Sequence, residues 1–183
     1  MLFVDRCATL QFIDSSAKTR VKDFKIINEQ VFFVKQDLFL LENQLPYELL
    51  DKLMKTSANK ENLKKSIEIF IDKASKPYEP RKQVQYEKQP IHLLGLLRTR
   101  LLGNTLKIPK KPNSKKFWRT FRNLRELQKV GIRLKCRQSF LDDIKFRKKW
   151  NFYPGILELP PLVMNDSFGP KFFNLVAYEM CPD

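Results

Sequence analysis

The sequence predicts an α+β fold, predominantly α-helical, with about six helices and a small three-stranded antiparallel β-meander near residues 132–159. Three observations predict it. Apolar residues recur at steps of three and four through most of the first 102 residues, the period changes to alternation after Gly131, and prolines and a Gly-Asn pair punctuate the periodic stretches. A chain of 183 residues with 43% hydrophobic and 12% aromatic content can build one domain with a core, so residues 1–183 are taken as a single domain.

Leu2 to Ile13 is apolar on nearly all sides apart from Asp5, Arg6 and Gln11, as a buried helix is. Val31, Val34, Leu38, Leu41 and Leu45, widened by Phe32, Phe33, Phe39 and Leu40, mark a mostly buried helix that Pro46 ends. A short helix follows over Tyr47 to Met54, with Leu49, Leu50, Leu53 and Met54 inward. Asn59 can cap the next one, where Leu63, Ile67, Phe70 and Ile71 form a stripe among lysines. Residues 76–90, with Pro77, Pro80 and Pro90, read as a mobile linker.

His92 to Leu102 is a leucine-rich helix stopped by Gly103-Asn104, and residues 104–116 form a second mobile linker. Phe117, Phe121, Leu124 and Leu127 define a helix that Gly131 ends. Beyond it Ile132, Leu134 and Cys136 alternate with Arg133, Lys135 and Arg137, and Ile144 and Phe146 alternate with Lys145 and Arg147. Ile156 to Leu159, between the turn at Asn151 to Gly155 and Pro160-Pro161, completes the expected meander. Asp166 or Ser167 can cap a last helix carrying Phe168, Phe172, Leu175, Val176 and Tyr178, with Pro170 in its first turn.

The net charge of +15 is concentrated: residues 107–149 hold 16 basic and 3 acidic side chains. Such asymmetry suits an anionic partner or a solvated face. Cys7, Cys136 and Cys181 are odd in number and far apart, and His92 is the sole histidine, so zinc and a secreted disulfide scaffold are disfavoured and reduced thiols expected. Asp5 and Arg6 interrupt any leader, and no apolar run reaches the roughly 18–20 residues that span a bilayer. The expectation is a cytosolic or peripheral membrane chain.

Five blocks occur in order: Met1-Leu-x-Val-Asp5-x-Cys7, Asp37-Leu-x-Leu-Leu-Glu-Asn-Gln-Leu-Pro46, His92-Leu-Leu-x-Leu-Leu-Arg98, Gly155-x-Leu-Glu-Leu-Pro-Pro-Leu162 and Asn174-Leu-x-Ala-Tyr-Glu179. Together they resemble the plant domain-of-unknown-function-247 family across essentially the whole chain. The signature positions are Asp5, Cys7, Asp37, Glu42, Asn43, Gln44, Pro46, His92, Arg98, Gly155, Glu158, Pro160, Pro161, Asn174, Tyr178 and Glu179. The chain departs from the pattern at Asp142-Asp143, at Gly95 where an aspartate is usual, and over Lys148 to Pro154. The resemblance implies a plant source and full-length relatives held at a membrane by a C-terminal helix, some of them associated with pollen recognition in self-incompatible grasses. It also implies that residues 1–183 are the central part of a longer family domain, from a truncated copy, partial gene model or split gene, with apolar surface left exposed. It transfers no catalytic residues.

Glu42, Asn43 and Gln44 could frame a ligand pocket, but helix-end chemistry accounts for them: Asn43 and Gln44 supply donors to orphan carbonyls, and Glu42 finds a lysine. Asp5 and Cys7 read as core structure. His92 is the one conceivable general base, though a first-turn or packing role explains it. Glu158 can pair across strands with Lys145 or Arg147. The sharpest functional candidate is basic: Lys115, Arg119, Arg122, Arg125 and Lys129, bordered by Trp118, fall opposite Phe117, Phe121 and Leu124 on one helix, and Lys116 joins them as a candidate contact. That face can be merely solvated, can contact an anionic membrane or an acidic protein, or can follow a phosphate backbone. The expected function is a non-enzymatic recognition or interaction module whose partner is a protein or an anionic membrane surface. A basic nucleic-acid-binding protein is the alternative and an enzyme the third; no cofactor and no small-molecule substrate are expected.

Overall fold

The computed structural model describes residues 2–18, 28–76, 90–102, 123–137, 143–148, 155–161 and 166–180, with the single positions 141 and 163. Two compact units emerge, Met1–Gly103 together with Val163–Asp183, and Asn104–Leu162.

The first unit is helical. Its elements are α1 (Leu2–Ala17), α2 (Asn28–Asp37), a 3-10 turn at Leu41–Asn43, α3 (Tyr47–Thr56), α4 (Lys60–Ser75), α5 (Leu93–Leu102) and α7 (Phe168–Met180). The stripes read from the sequence build its core: Leu50 and Met54 of α3, Ile67, Phe70 and Ile71 of α4 and Leu93, Leu94, Leu96 and Leu97 of α5 are all buried, with Ile13 and Phe39 among them. Part-buried polar contacts tie the helices together. Ser66 Oγ donates to Asp14 Oδ1 at 2.6 Å between α4 and α1, and Arg100 of α5 reaches Asp72 of α4 at 2.5 Å.

Several expectations change. The helix expected through Leu45 ends at Asp37, because Gln44 and Asn43 turn their amides back onto the carbonyls of Leu38, Leu40 and Asp37 and close the chain into a turn, a 3-10 turn and an extended stretch. Among the described side chains of the first helix the buried ones are Leu10, Phe12, Ile13, Ser16 and Ala17; Val4, Asp5 and Cys7 are exposed, so Asp5 and Cys7 are surface and not core residues. Asn59 precedes α4 without a side-chain cap, and Ser57 Oγ instead accepts the Asn59 N–H. On α7, Leu175 and Tyr178 pack on the core while Phe172 and Val176 stand exposed. Residues 77–89 and 103–122, which include most of both expected linkers and the Gly103-Asn104 stop, lie outside the described residues, as does Cys181.

The second unit holds α6 (Leu124–Lys129) and the strands β1 (Arg133–Cys136), β2 (Lys145–Arg147) and β3 (Ile156–Leu159). Asn123 caps α6, its Oδ1 accepting the Glu126 N–H at 2.9 Å, and Gly131 closes it at φ 87°, a left-handed conformation that glycine adopts without strain. The sheet is mixed and not the expected antiparallel meander. Its order is β1-β3-β2, with β3 parallel to β1 and antiparallel to β2. Alternation identifies strands but is silent on their order. Here β3, whose residues are half-buried or buried, takes the centre, and the cation-bearing β1 and β2 take the edges, where charge is tolerated and deters further pairing. The described residues thus contain seven α-helices, one more than expected. None of them is long and apolar enough to cross a membrane.

Candidate functional site

Three of the five sequence blocks meet in the helical unit. Gln44 is the junction: its Nε2 donates to Leu38 O at 3.0 Å and Leu40 O at 2.7 Å, while its Oε1 accepts the Leu94 N–H of α5 at 2.9 Å. Asn174 of α7 closes the other side, its Oδ1 accepting the Leu41 N–H at 2.7 Å and its Nδ2 donating to Pro170 O at 2.8 Å. Pro46 stands at the start of α3, where it needs no donor, and the following Tyr47 N–H donates to Ile91 O at 2.7 Å. Arg98 and Glu179 form an ion pair between α5 and α7. This lattice answers orphan backbone groups of a chain reversal. Asp37 and Glu42 are exposed beside it, and Glu42 pairs with none of the described lysines, against the expectation.

His92 precedes α5 and is buried. Its Nδ1 accepts the Gly95 N–H at 2.9 Å, which caps the helix, and its ring packs edge-on to Tyr178 with centroids 4.7 Å apart. Accepting at Nδ1 assigns the ring proton to Nε2. A Cβ at Gly95 would meet the Tyr178 hydroxyl at 3.4 Å and the His92 ring at 3.6 Å, ordinary contact distances.

In the second unit the basic candidates are only partly described. Arg125 and Lys129 lie exposed on α6; Lys115, Lys116, Trp118, Arg119 and Arg122 are outside the described residues. The sheet adds a cationic face that was not singled out from the sequence. Register places Lys135, Glu158 and Lys145 across from one another, and Arg133, Ile156 and Arg147 likewise, so the cations of both edge strands share the face of Glu158. Glu158 is buried and accepts Arg137 at 3.3 Å and Arg147 at 3.4 Å; Lys145 turns to Asp143 at 2.7 Å. Arg133 and Lys135 are exposed and meet no carboxylate among the described residues. The opposite face aligns Leu134, Leu157 and Phe146, and the Phe146 ring lies over Gly155 so closely that a Cβ there would be 2.3 Å from Cζ. That approach explains a glycine before β3. Pro160, buried, and Pro161, exposed, end the strand.

A cavity of about 160 Å³ opens in the helical unit beside the lattice, between α2, α4 and α7. Lys35, Lys73 and Lys171 line it, over an apolar wall that includes the stacked rings of Phe39 and Phe70, 5.6 Å apart. Burial holds the Lys35 amine below the usual lysine range, and the Lys73 charge adds to this. Lys171 is lowered by burial first and by Lys35 second. Sequence reasoning missed this cluster because its members lie far apart along the chain. One signal was present: Lys35 occupies the helical stripe position between Val31 and Phe39, both buried. Among the described residues no three histidine, cysteine or acidic side chains group as metal ligands.

Comparison with curated proteins and with solved structures gives no match. A family model, DUF247, described as a plant protein of unknown function, matches residues 1–183. With its sequence blocks placed in the fold and the whole length matched, the chain belongs to the plant DUF247 family.

Proposed function

We propose that the chain is a non-enzymatic recognition module that docks an anionic surface, a membrane leaflet or an acidic protein, through the cationic face of its second unit. The observation carrying this is the sheet: cations from both edge strands surround the buried carboxylate of Glu158, and Arg133 and Lys135 remain exposed beyond it. Desolvating that face against neutral matter would cost free energy, whereas an anionic surface offsets the cost. The exposed Arg125 and Lys129 of α6 extend the same charge within the unit. The non-enzymatic part is supported by His92, whose Nδ1 is committed to a backbone amide, and by Gln44 and Asn174, whose amides hold the turn.

Flotation with anionic and with neutral vesicles, beside binding to polyglutamate and a salt titration on generic DNA, tests the proposal. Anionic vesicles or polyglutamate should retain the chain, and Arg133→Glu with Lys135→Glu should weaken retention by about 1 kcal/mol per cation, roughly fivefold each. Steep salt-dependent DNA binding without vesicle or polyglutamate binding would favour the nucleic-acid alternative instead. A turnover abolished by His92→Ala would establish the enzyme.

A further inference from the structure

The lysine cavity of the helical unit is chemically unlike the rest of that unit. Elsewhere several of its cations meet carboxylates: Lys18 with Asp14, Lys52 with Glu48, Lys55 with Asp51, Arg98 with Glu179 and Arg100 with Asp72. In the cavity three ammonium groups from three helices face one space, and no carboxylate lines it among the described residues. Asp72 precedes Lys73 in sequence but is turned to Arg100.

The donors are only partly used. Lys35 makes no hydrogen bond and no ion pair among the described residues. Lys73 Nζ donates to Ser16 O at 3.1 Å and Ala17 O at 3.0 Å, which leaves one of its three hydrogens. Lys171 Nζ has only long contacts, 3.4 Å to Ala74 O and 3.4 Å to Ser167 Oγ, and lies 5.8 Å over the Phe39 ring. Beside them Ser16, 4% exposed, carries a buried Oγ without a hydrogen-bond partner. A buried hydroxyl gains on the order of 1–3 kcal/mol on finding a partner, and Ser16 lines the same cavity as the three lysines.

We propose that this cavity binds a phosphate monoester. The three ammonium groups and one hydroxyl demand an acceptor with several oxygens and about two negative charges, which a phosphate monoester has and a single carboxylate lacks. The volume, about 160 Å³, takes a tetrahedral head and falls short of the roughly 300 Å³ at which sites for drug-sized ligands begin. The ester substituent therefore stays outside. The Phe39 and Phe70 wall excludes water from one side, and a low local dielectric strengthens each charge-assisted bond. The site lies within the unit Met1–Gly103 with Val163–Asp183 and is independent of the sheet face proposed above.

Titration calorimetry of the chain with inorganic phosphate, against chloride at matched ionic strength, tests the site. Vesicles carrying phosphatidic acid, compared with vesicles carrying the diester phosphatidylglycerol at the same charge density, identify the source. Saturable phosphate heat that chloride does not reproduce is expected, reduced tenfold or more in Lys35→Met and unchanged in Arg133→Glu with Lys135→Glu. A preference for phosphatidic acid, lost in Lys35→Met, assigns a lipid head; phosphate binding without that preference assigns a soluble monoester. Absence of saturable heat, or affinity unaltered in Lys35→Met, overturns the site. Lys35 makes no hydrogen bond or ion pair among the described residues, so Lys35→Met is expected to fold, and circular dichroism of the same samples checks it.

Discussion

Two neighbouring regions of the helical unit use polar side chains in opposite ways. Around Gln44 the polar atoms meet partners: three hydrogen bonds on one amide, a cap from His92, a clamp from Asn174. A short step away, Lys35, Lys73 and Lys171 repel one another around a cavity that no described carboxylate neutralises. The lattice lowers the energy of the fold, while the cavity raises it. Residues that identify a family and residues that meet a partner need not coincide, and here the identifying residues belong to the region that is satisfied.

Breaking the satisfied side should give the largest effects. Gln44→Leu strands the carbonyls of Leu38 and Leu40 and the Leu94 amide, and a loss of about 3 kcal/mol is expected in the urea unfolding free energy. His92→Ala removes the α5 cap and the Tyr178 contact and should cost about 2 kcal/mol by the same measurement. The cavity side should respond with the opposite sign. Lys35→Met relieves like-charge crowding and should stabilise by about 0.5–1 kcal/mol.

A pH series sharpens this contrast. Lys35 and Lys171 titrate below the ordinary lysine value of 10.5 in the folded chain, so the unfolded chain holds their protons to higher pH. The contribution of these groups to stability must therefore rise as pH climbs toward 10.5, and urea midpoints of Lys35→Met should rise less steeply than those of the parent. The smallest effect is expected at Gly95→Ala. Its Cβ finds ordinary contact distances, and the helical propensity gain should appear as about 0.5 kcal/mol of added stability.

Much of this fold was legible because it is local. The stripes Leu63, Ile67, Phe70, Ile71 and Leu93 to Leu97 declare helices and their buried faces, and Gly131 declares its stop. The donors of Asn43 and Gln44 before Pro46 were legible as chain-reversal chemistry, although the reversal begins at Asp37 and not at Leu45. What stayed hidden is non-local. Nothing near Leu41 signals that Asn174, 133 positions away, will accept its amide proton. Alternation at Lys145 and Arg147 could not say that β3 lies between the other strands. Lys73 and Lys171 look like members of a solvated face until the helices are brought together, and only Lys35, in the stripe between Val31 and Phe39, departs from that pattern.

Thermal unfolding of the parent chain and of Lys35→Met, each with and without inorganic phosphate, tests the division between the two regions most directly. Lys35→Met should melt above the parent in the absence of phosphate, and phosphate should raise the parent's midpoint but not the variant's. A variant that melts lower than the parent, yet gains as much from phosphate, would refute that division.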